Sequence, residues 1–161
     1  MIYEKATKTR CQMYEHDLNT KVLSNLNSLF NKYGHKPSKE MVQALKEIIE
    51  TLTSMALGKA DNKYFLSSID PGVGKSTAII QWLKVFLEST YCALEEVGVL
   101  IGLEQYDEIQ RFIDECKLAS DQYAVFVTEG HPLNDLGYGK YRANRAKVLF
   151  TTKAQIRIKS R

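Results

Sequence analysis

The stretch that decides the fold runs from Tyr64 to Thr77 and reads Tyr-Phe-Leu-Ser-Ser-Ile-Asp-Pro-Gly-Val-Gly-Lys-Ser-Thr. Its apolar first part, residues 64–69, is typical of a buried strand. A turn that contains proline and two glycines follows, and helix-forming residues begin at Ala78. A strand, a glycine turn and a helix that opens with Lys-Ser-Thr form the pattern of a phosphate-binding P-loop.

The residue types in this loop suit a nucleotide triphosphate. Gly72 and Gly74 allow the backbone to turn tightly, so that successive N–H groups converge on one anion, and the helix N-terminus adds its dipole. Lys75 supplies a positive charge for the outer phosphates, and the Ser76 hydroxyl can complete the shell of a Mg²⁺ ion. We therefore predict a nucleoside triphosphate with Mg²⁺ as the ligand, with Lys75 catalytic and Ser76 the metal ligand. The predicted nucleotide-binding residues are Asp70, Pro71, Gly72, Val73, Gly74, Lys75, Ser76 and Thr77.

The loop departs from the full pattern at one position. The pattern places a glycine five residues before Gly74, and this chain has Ile69 there. The alternative interpretation is a glycine turn that precedes a lysine by chance. Because the loop also closes a predicted strand and opens a predicted helix, nucleotide binding is the better interpretation.

The composition is that of a globular protein. The chain has 161 residues, of which 44% are hydrophobic and 25% are charged, and this is enough to bury a core. No apolar run approaches the ~20 residues of a membrane span, and the N-terminus lacks the apolar core of a signal peptide. The cysteines at 11, 92 and 116 are odd in number and widely spaced, which argues against a disulfide framework and against a zinc site. These features predict a cytoplasmic protein that is not bound to membranes.

Basic residues are concentrated at the carboxyl end of the chain. Residues 137–161 contain eight lysines and arginines and no acid, whereas residues 1–136 contain 14 basic and 19 acidic residues. Tyr138, Tyr141 and Phe150 are interleaved with these cations, as in many nucleic-acid surfaces. The alternative is a solvated basic segment with no specific partner, and the two interpretations have about equal weight. The predicted nucleic-acid contacts are Arg142, Arg145 and Lys153.

Hydrophobic periodicity predicts an α/β fold. Helical spacing over residues 12–57 is broken at Gly34, and Ser38 is the expected N-cap of the second helix, which Gly58 ends. Strands are predicted at 64–69, 97–103, 123–128 and 147–152, helices from Ala78 and over 105–119, and an irregular loop over 129–146. Apolar strands divided by helices favour a parallel sheet. The predicted domains are a helical segment, 1–58, and a P-loop NTPase domain, 59–161.

The order of these elements resembles the first motor domain of the P-loop helicases, particularly the second (DEAD/DEAH-like) superfamily. That superfamily tolerates a residue other than glycine where this chain has Ile69. Its glutamine-bearing helix before the P-loop is similar to the segment around Gln43, which is either an adenine-contacting residue or an exposed helix residue. Its nucleic-acid-contacting segment is similar to residues 97–109. Its strand with paired threonines is similar to residues 146–156. The resemblance covers residues 38–158 and implies a RecA-like fold, ATP with Mg²⁺, and single-stranded or duplex nucleic acid as a partner.

The chain departs from this family in its acids. The family has an acidic pair after a later strand, which coordinates Mg²⁺ and positions the attacking water. The nearest candidate here is Glu129, one residue beyond the predicted strand 123–128. Either Glu129 is an atypical catalytic acid, or the acidic strand lies beyond Arg161; we favour the second interpretation. The spacing Thr152-Lys-Ala-Gln155 is that of a helix capping box near the last residue, so the domain is expected to be incomplete at its C-terminus.

Three functions stay open at this stage. The leading one is the ATP-binding segment of a helicase-like, nucleic-acid-dependent ATPase. A small P-loop kinase or another P-loop ATPase is the second, with Arg142 and Arg145 as a lid over the phosphates. The third is a module that holds nucleotide or nucleic acid without hydrolysis, which the lack of a clear catalytic acid favours.

Overall fold

The structure, a computed structural model, describes residues 2–61, 72–95 and 97–159. The chain divides into two compact units between residues 94 and 95. The predicted boundary between residues 58 and 59 lies inside the first unit. The predicted strand 64–69 lies outside the described residues.

The first unit is helical. Helix α1 (Ile2–Lys32) is followed by a turn at Gly34 (φ 65°), and helix α2 (Lys39–Ala56) by a turn at Gly58 (φ 65°). The Ser38 hydroxyl caps α2 by accepting the N–H of Met41 at 3.2 Å. Both predicted helix ends and the predicted N-cap are therefore confirmed, whereas α1 begins ten residues before the predicted start because residues 2–11 contain no glycine or proline. The helices are α1 (Ile2–Lys32), α2 (Lys39–Ala56), α3 (Lys75–Leu87) and α4 (Thr90–Glu95).

Helices α1, α2 and α3 pack against one another around an apolar core. Each contributes side chains that are at most 3% exposed, and the rings of Trp82 and Phe86 on α3 stack with centroids 4.8 Å apart. This packing removes the apolar face of every helix from water, which is the main source of stability for such a unit. The core side chains include Val22, Leu26, Leu45, Ile49, Ile80 and Leu83.

A buried hydrogen-bond chain joins the same three helices. Thr53 on α2 is 1% exposed, and its hydroxyl donates to Asn19 Oδ1 on α1 at 2.7 Å. Trp82 Nε1 on α3 donates to the same hydroxyl oxygen at 3.0 Å. Because directional bonds from three elements meet at one atom, the chain fixes the position of α3 relative to α1 and α2.

Thr53→Val is expected to lower the free energy of unfolding by about 1–3 kcal/mol. The isosteric side chain has no hydroxyl, so it leaves the indole N–H of Trp82 and the side-chain oxygen of Asn19 without their partner. Thr51→Val is the matched control, since the Thr51 hydroxyl donates only to the carbonyl of Glu47 in its own helix. Chemical denaturation of both variants measures the difference. Equal stability of the two variants would show that the chain does not hold the helices together.

The second unit is built on a parallel sheet of three strands, which are β1 (Val99–Leu103), β2 (Tyr123–Phe126) and β3 (Val148–Thr152). Their order in the sheet is β1-β3-β2. Val148 on the central strand is in register with both Val99 and Tyr123. The three predicted strands in this region and their parallel direction are confirmed, and so is the α/β class. The helices of this unit are α5 (Tyr106–Cys116) and α6 (Lys153–Lys159), with short 3-10 segments at Pro132–Asp135 and Lys140–Arg145.

One face of this sheet forms the core of the second unit. Phe150 on the central strand is fully buried, and its ring meets that of Phe112 on α5 edge to face at 6.3 Å. Burial raises the pKa of Tyr123 on the edge strand, and the negative charge of Asp114 adds to this effect. The opposite face is more open, since Leu100 on β1 is 60% exposed. Among the described residues, no helix combines the length and apolarity that a membrane crossing needs.

Candidate functional site

The described part of the predicted P-loop is a tight turn that leads directly into a helix. Gly72 has φ 87° and Gly74 has φ 94°, in the region that favours glycine. Gly74 is the left-handed N-cap residue of α3, and Lys75 is the first residue of that helix. Each of the two glycines is thus at a position where a side chain would strain the backbone. Asp70 and Pro71, also predicted to bind nucleotide, lie outside the described residues.

The start of α3 offers backbone donors to an anion. The first intrahelical bond runs from the Ala78 N–H to the carbonyl of Gly74 at 2.9 Å, so the N–H groups of Ser76 and Thr77 have no acceptor within the helix. The N-cap residue, Gly74, has no side chain that could cap this end, and the first turn contains no acid. Lys75, Ser76 and Thr77 are all half-buried. A helix start of this kind favours a phosphate group.

The N-terminal turn of α2 lies beside this loop. A Cβ atom on Gly74 would meet Met41 Cε at 4.0 Å, in ordinary van der Waals contact. The pKa of the neighbouring Glu40 carboxyl is lowered, first by its own backbone N–H and then by the Ser38 hydroxyl. Gln43, which the family resemblance makes an adenine-contacting residue, is exposed and donates to Glu47 Oε1 at 3.0 Å. Its role with adenine stays a prediction.

Glu129, the predicted catalytic acid, projects from the loop after β2. Its side chain is 91% exposed and lies 3.5 Å from Lys140 Nζ. Asn134, a buried residue that the sequence analysis missed, holds this loop: its Oδ1 accepts the N–H of Val127 at 2.8 Å, and its Nδ2 donates to the carbonyl of Thr128 at 2.9 Å. Asn134 lies in the 3-10 segment Pro132–Asp135, and no local sequence pattern indicated this role. The loop is thus ordered, and the catalytic role of Glu129 stays a prediction.

The paired threonines at the end of β3 have structural partners. Thr151 donates to the carbonyl of Phe126 at 2.7 Å, which ties β3 to β2. Thr152 accepts the N–H of Gln155 at 3.4 Å at the start of α6. The helix start that the Thr152–Gln155 spacing indicated is therefore present. Both threonines are 5% exposed, so their hydroxyl groups serve the protein interior.

The three predicted nucleic-acid residues differ in their surroundings. Arg142 and Arg145 are exposed in the same short 3-10 segment, and neither forms an ion pair with another residue of the described ranges. Lys153, in contrast, contacts Glu104 Oε1 at 2.7 Å. The two arginines therefore have free positive charge for a phosphate, whereas Lys153 would first have to leave its partner.

The chemistry of the loop fits a Mg²⁺ ion that accompanies a nucleotide. Searched over the described residues, the protein has no group of three or more His, Cys, Asp or Glu side chains that could hold a metal ion. Mg²⁺ at nucleotide sites keeps several waters and takes other ligands from phosphate oxygens, so it needs few ligands from the protein. The hydroxyl of Ser76, in the first turn of α3, is of the right type and is half-buried rather than enclosed in the core.

No family model, curated protein or solved structure matches this chain. The interpretation of the loop thus depends on its own residues and backbone. These are two positive-φ glycines, a helix whose N-cap residue has no side chain, and Lys-Ser-Thr in the first turn.

Proposed function

We propose that this protein binds ATP with Mg²⁺ at residues 70–77 as the nucleotide-binding part of a helicase-like, nucleic-acid-dependent ATPase. The observation that carries the proposal is the pair of positive-φ glycines, Gly72 and Gly74, immediately before a helix that begins at Lys75. This backbone presents N–H groups and a helix dipole to one anion, and the sequence supplies a lysine and a hydroxyl at the same place. We also propose that the fold is a RecA-like domain, with which the three-stranded parallel sheet is compatible.

Each residue of the loop then has a defined task. The N–H groups from Gly72 to Ser76 hold the phosphate oxygens, and Thr77 contributes to binding an inner phosphate. Lys75 neutralises charge on the outer phosphate as it is transferred. Ser76 would hold Mg²⁺, which when bound supplies further stabilisation of that charge. Cys92 and Cys116 are buried and are not in disulfides, which fits the reducing cytoplasm in which we propose that the protein acts.

A module that binds nucleotide without hydrolysis is the second candidate. It is favoured by Glu129, which is 91% exposed and paired with Lys140, because an acid that positions an attacking water is normally held in a shielded site. ATP hydrolysis measured with and without single-stranded DNA or RNA separates the two functions. Nucleic-acid-stimulated turnover supports the ATPase. ATP binding with no turnover in either condition supports the module.

Ser76→Ala is expected to weaken Mg·ATP binding by roughly tenfold and to leave metal-free ATP binding unchanged, since only the metal ligand is removed. Ser76→Thr is the matched control, because it keeps the hydroxyl and should retain the Mg²⁺ dependence. Isothermal titration with ATP, in Mg²⁺ and in chelator, measures both quantities. An Ala variant with the full Mg²⁺ dependence of the wild type would remove Ser76 from the metal site.

A further inference from the structure

The 3-10 segment Lys140–Arg145 carries the most exposed aromatic ring among the residues that the structure describes. Tyr141 is 94% exposed. A single exposed ring is common and by itself indicates nothing. Here, however, Tyr141 is followed directly by the exposed Arg142 and, four residues on, by the exposed Arg145, in a region of the sequence with no acid from 137 to 161.

The segment is anchored on both sides near the start of strand β2, at Tyr123 and at Gln122 just before it. Before it, the Tyr138 N–H donates to the carbonyl of Tyr123 at 2.9 Å; after it, the Lys147 N–H donates to the carbonyl of Gln122 at 2.9 Å. Lys140 at its start lies 5.5 Å from the centre of the Phe126 ring. The exposed ring is therefore presented on a fixed support, which reduces the entropy that a ligand must overcome on binding.

We propose that this segment is a stacking platform for single-stranded nucleic acid, with Tyr141 against a base and Arg142 and Arg145 on the flanking phosphates. The inference rests on the nucleic-acid half of the proposed function and names the form of nucleic acid and the residue that selects it. A tyrosine ring offers a flat apolar surface to any base, and the arginines offer bidentate donors to phosphate. Bases of an intact duplex are already stacked on each other, so the ring favours a single strand.

The positive charge of the segment argues against a cationic ligand. A cationic partner would be repelled by Arg142 and Arg145, which are exposed and lie in a segment, Lys140–Arg145, that contains no acid of its own. An acidic peptide would satisfy the arginines but would leave Tyr141 without a flat partner, so its binding would not depend on the ring. The dependence on Tyr141 is therefore the property that separates a single strand from other anions.

The test is fluorescence anisotropy with labelled oligo-dT, oligo-U and a DNA duplex, all without ATP. Tyr141→Ala should weaken binding of both single strands by about tenfold, while Tyr141→Phe keeps the ring and the affinity. Tyr33→Ala is the matched control: Tyr33 is 74% exposed and has Lys32 Nζ 5.6 Å from its ring centre. It should bind like the wild type.

The arginines are tested by their effect on salt dependence. The plot of log affinity against log salt has a negative slope. The double variant Arg142→Gln, Arg145→Gln should make this slope shallower by about 1.4, because two phosphate contacts are lost. Tyr141→Ala should leave the slope unchanged. Arg111→Gln is the control for charge alone, since Arg111 is on α5 and pairs with Glu115 at 2.6 Å.

Three results would overturn the platform. Tyr141→Ala could bind single strands as well as the wild type does, it could lose duplex and single-strand binding equally, or polyglutamate could displace the oligonucleotide as effectively as unlabelled strand. ATP binding is measured on the same samples. If the protein binds ATP but its strand binding does not depend on Tyr141, only this inference fails. If its strand binding depends on Tyr141 but the protein does not bind ATP, only the nucleotide proposal fails.

Discussion

Lys75→Ala is expected to weaken Mg·ATP binding by roughly tenfold to a hundredfold while the protein stays folded, since a charge-assisted contact to phosphate is lost. Lys75 is half-buried and is the first residue of α3, where alanine is an excellent helix former. Isothermal titration with ATP at constant Mg²⁺ measures the affinity, and the thermal unfolding midpoint reports the fold.

Two variants control this prediction. Lys84→Ala removes a half-buried lysine from the last turn of the same helix and should leave ATP affinity unchanged. Lys75→Arg keeps the positive charge and should retain part of the affinity. Equal ATP affinity in the wild type and in Lys75→Ala would remove the P-loop assignment.

Gly137→Ala is expected to lower the free energy of unfolding by roughly 3 kcal/mol or more, because backbone strain and a steric clash add together. Gly137 has φ +64°, and a Cβ atom there would lie well inside contact distance of the Tyr123 carbonyl oxygen. That oxygen accepts the Tyr138 N–H, so it cannot move away without breaking a bond to β2. Chemical denaturation measures the loss.

Gly130→Ala separates the two causes. Gly130 has φ +77°, and a Cβ atom there would meet nothing within 4 Å. This variant should therefore show the backbone strain alone, about 1–2 kcal/mol. If both variants lost the same stability, the close approach of residue 137 to β2 would contribute nothing.

Local features of the second unit could be predicted from the sequence, but its strand order could not. Apolar runs bounded by polar residues gave β1, β2 and β3 at nearly the observed positions, because strand formation there depends on burial of short hydrophobic segments. The strand order β1-β3-β2 could not be predicted in this way. The order is set by pairing between residues that are far apart in the sequence, such as Val99 with Val148. Hydrophobic periodicity does not indicate which strands lie next to each other in the sheet.

The candidate site shows the same division. The positive φ values of Gly72 and Gly74 could be anticipated, since glycine marks positions that other residues avoid. The ion pair of Lys153 with Glu104 joins residues 49 positions apart and has no local signal. The roles of Thr151 and Asn134 likewise depend on carbonyl and amide groups that only the folded backbone brings near. Electrostatic and hydrogen-bond partners at long range therefore had to come from the structure.

The most direct test of the account is a titration of the isotopically labelled protein with Mg·ATP, followed by amide NMR. If the loop holds the phosphates, the amide signals of Gly72, Gly74, Lys75 and Ser76 should shift first and saturate together, because their N–H groups contact the ligand. The amides of Gly130 and Gly137 in the second unit serve as an internal reference for a local effect. Saturating Mg·ATP that leaves the four loop amides unmoved would contradict the central claim that this loop binds nucleotide.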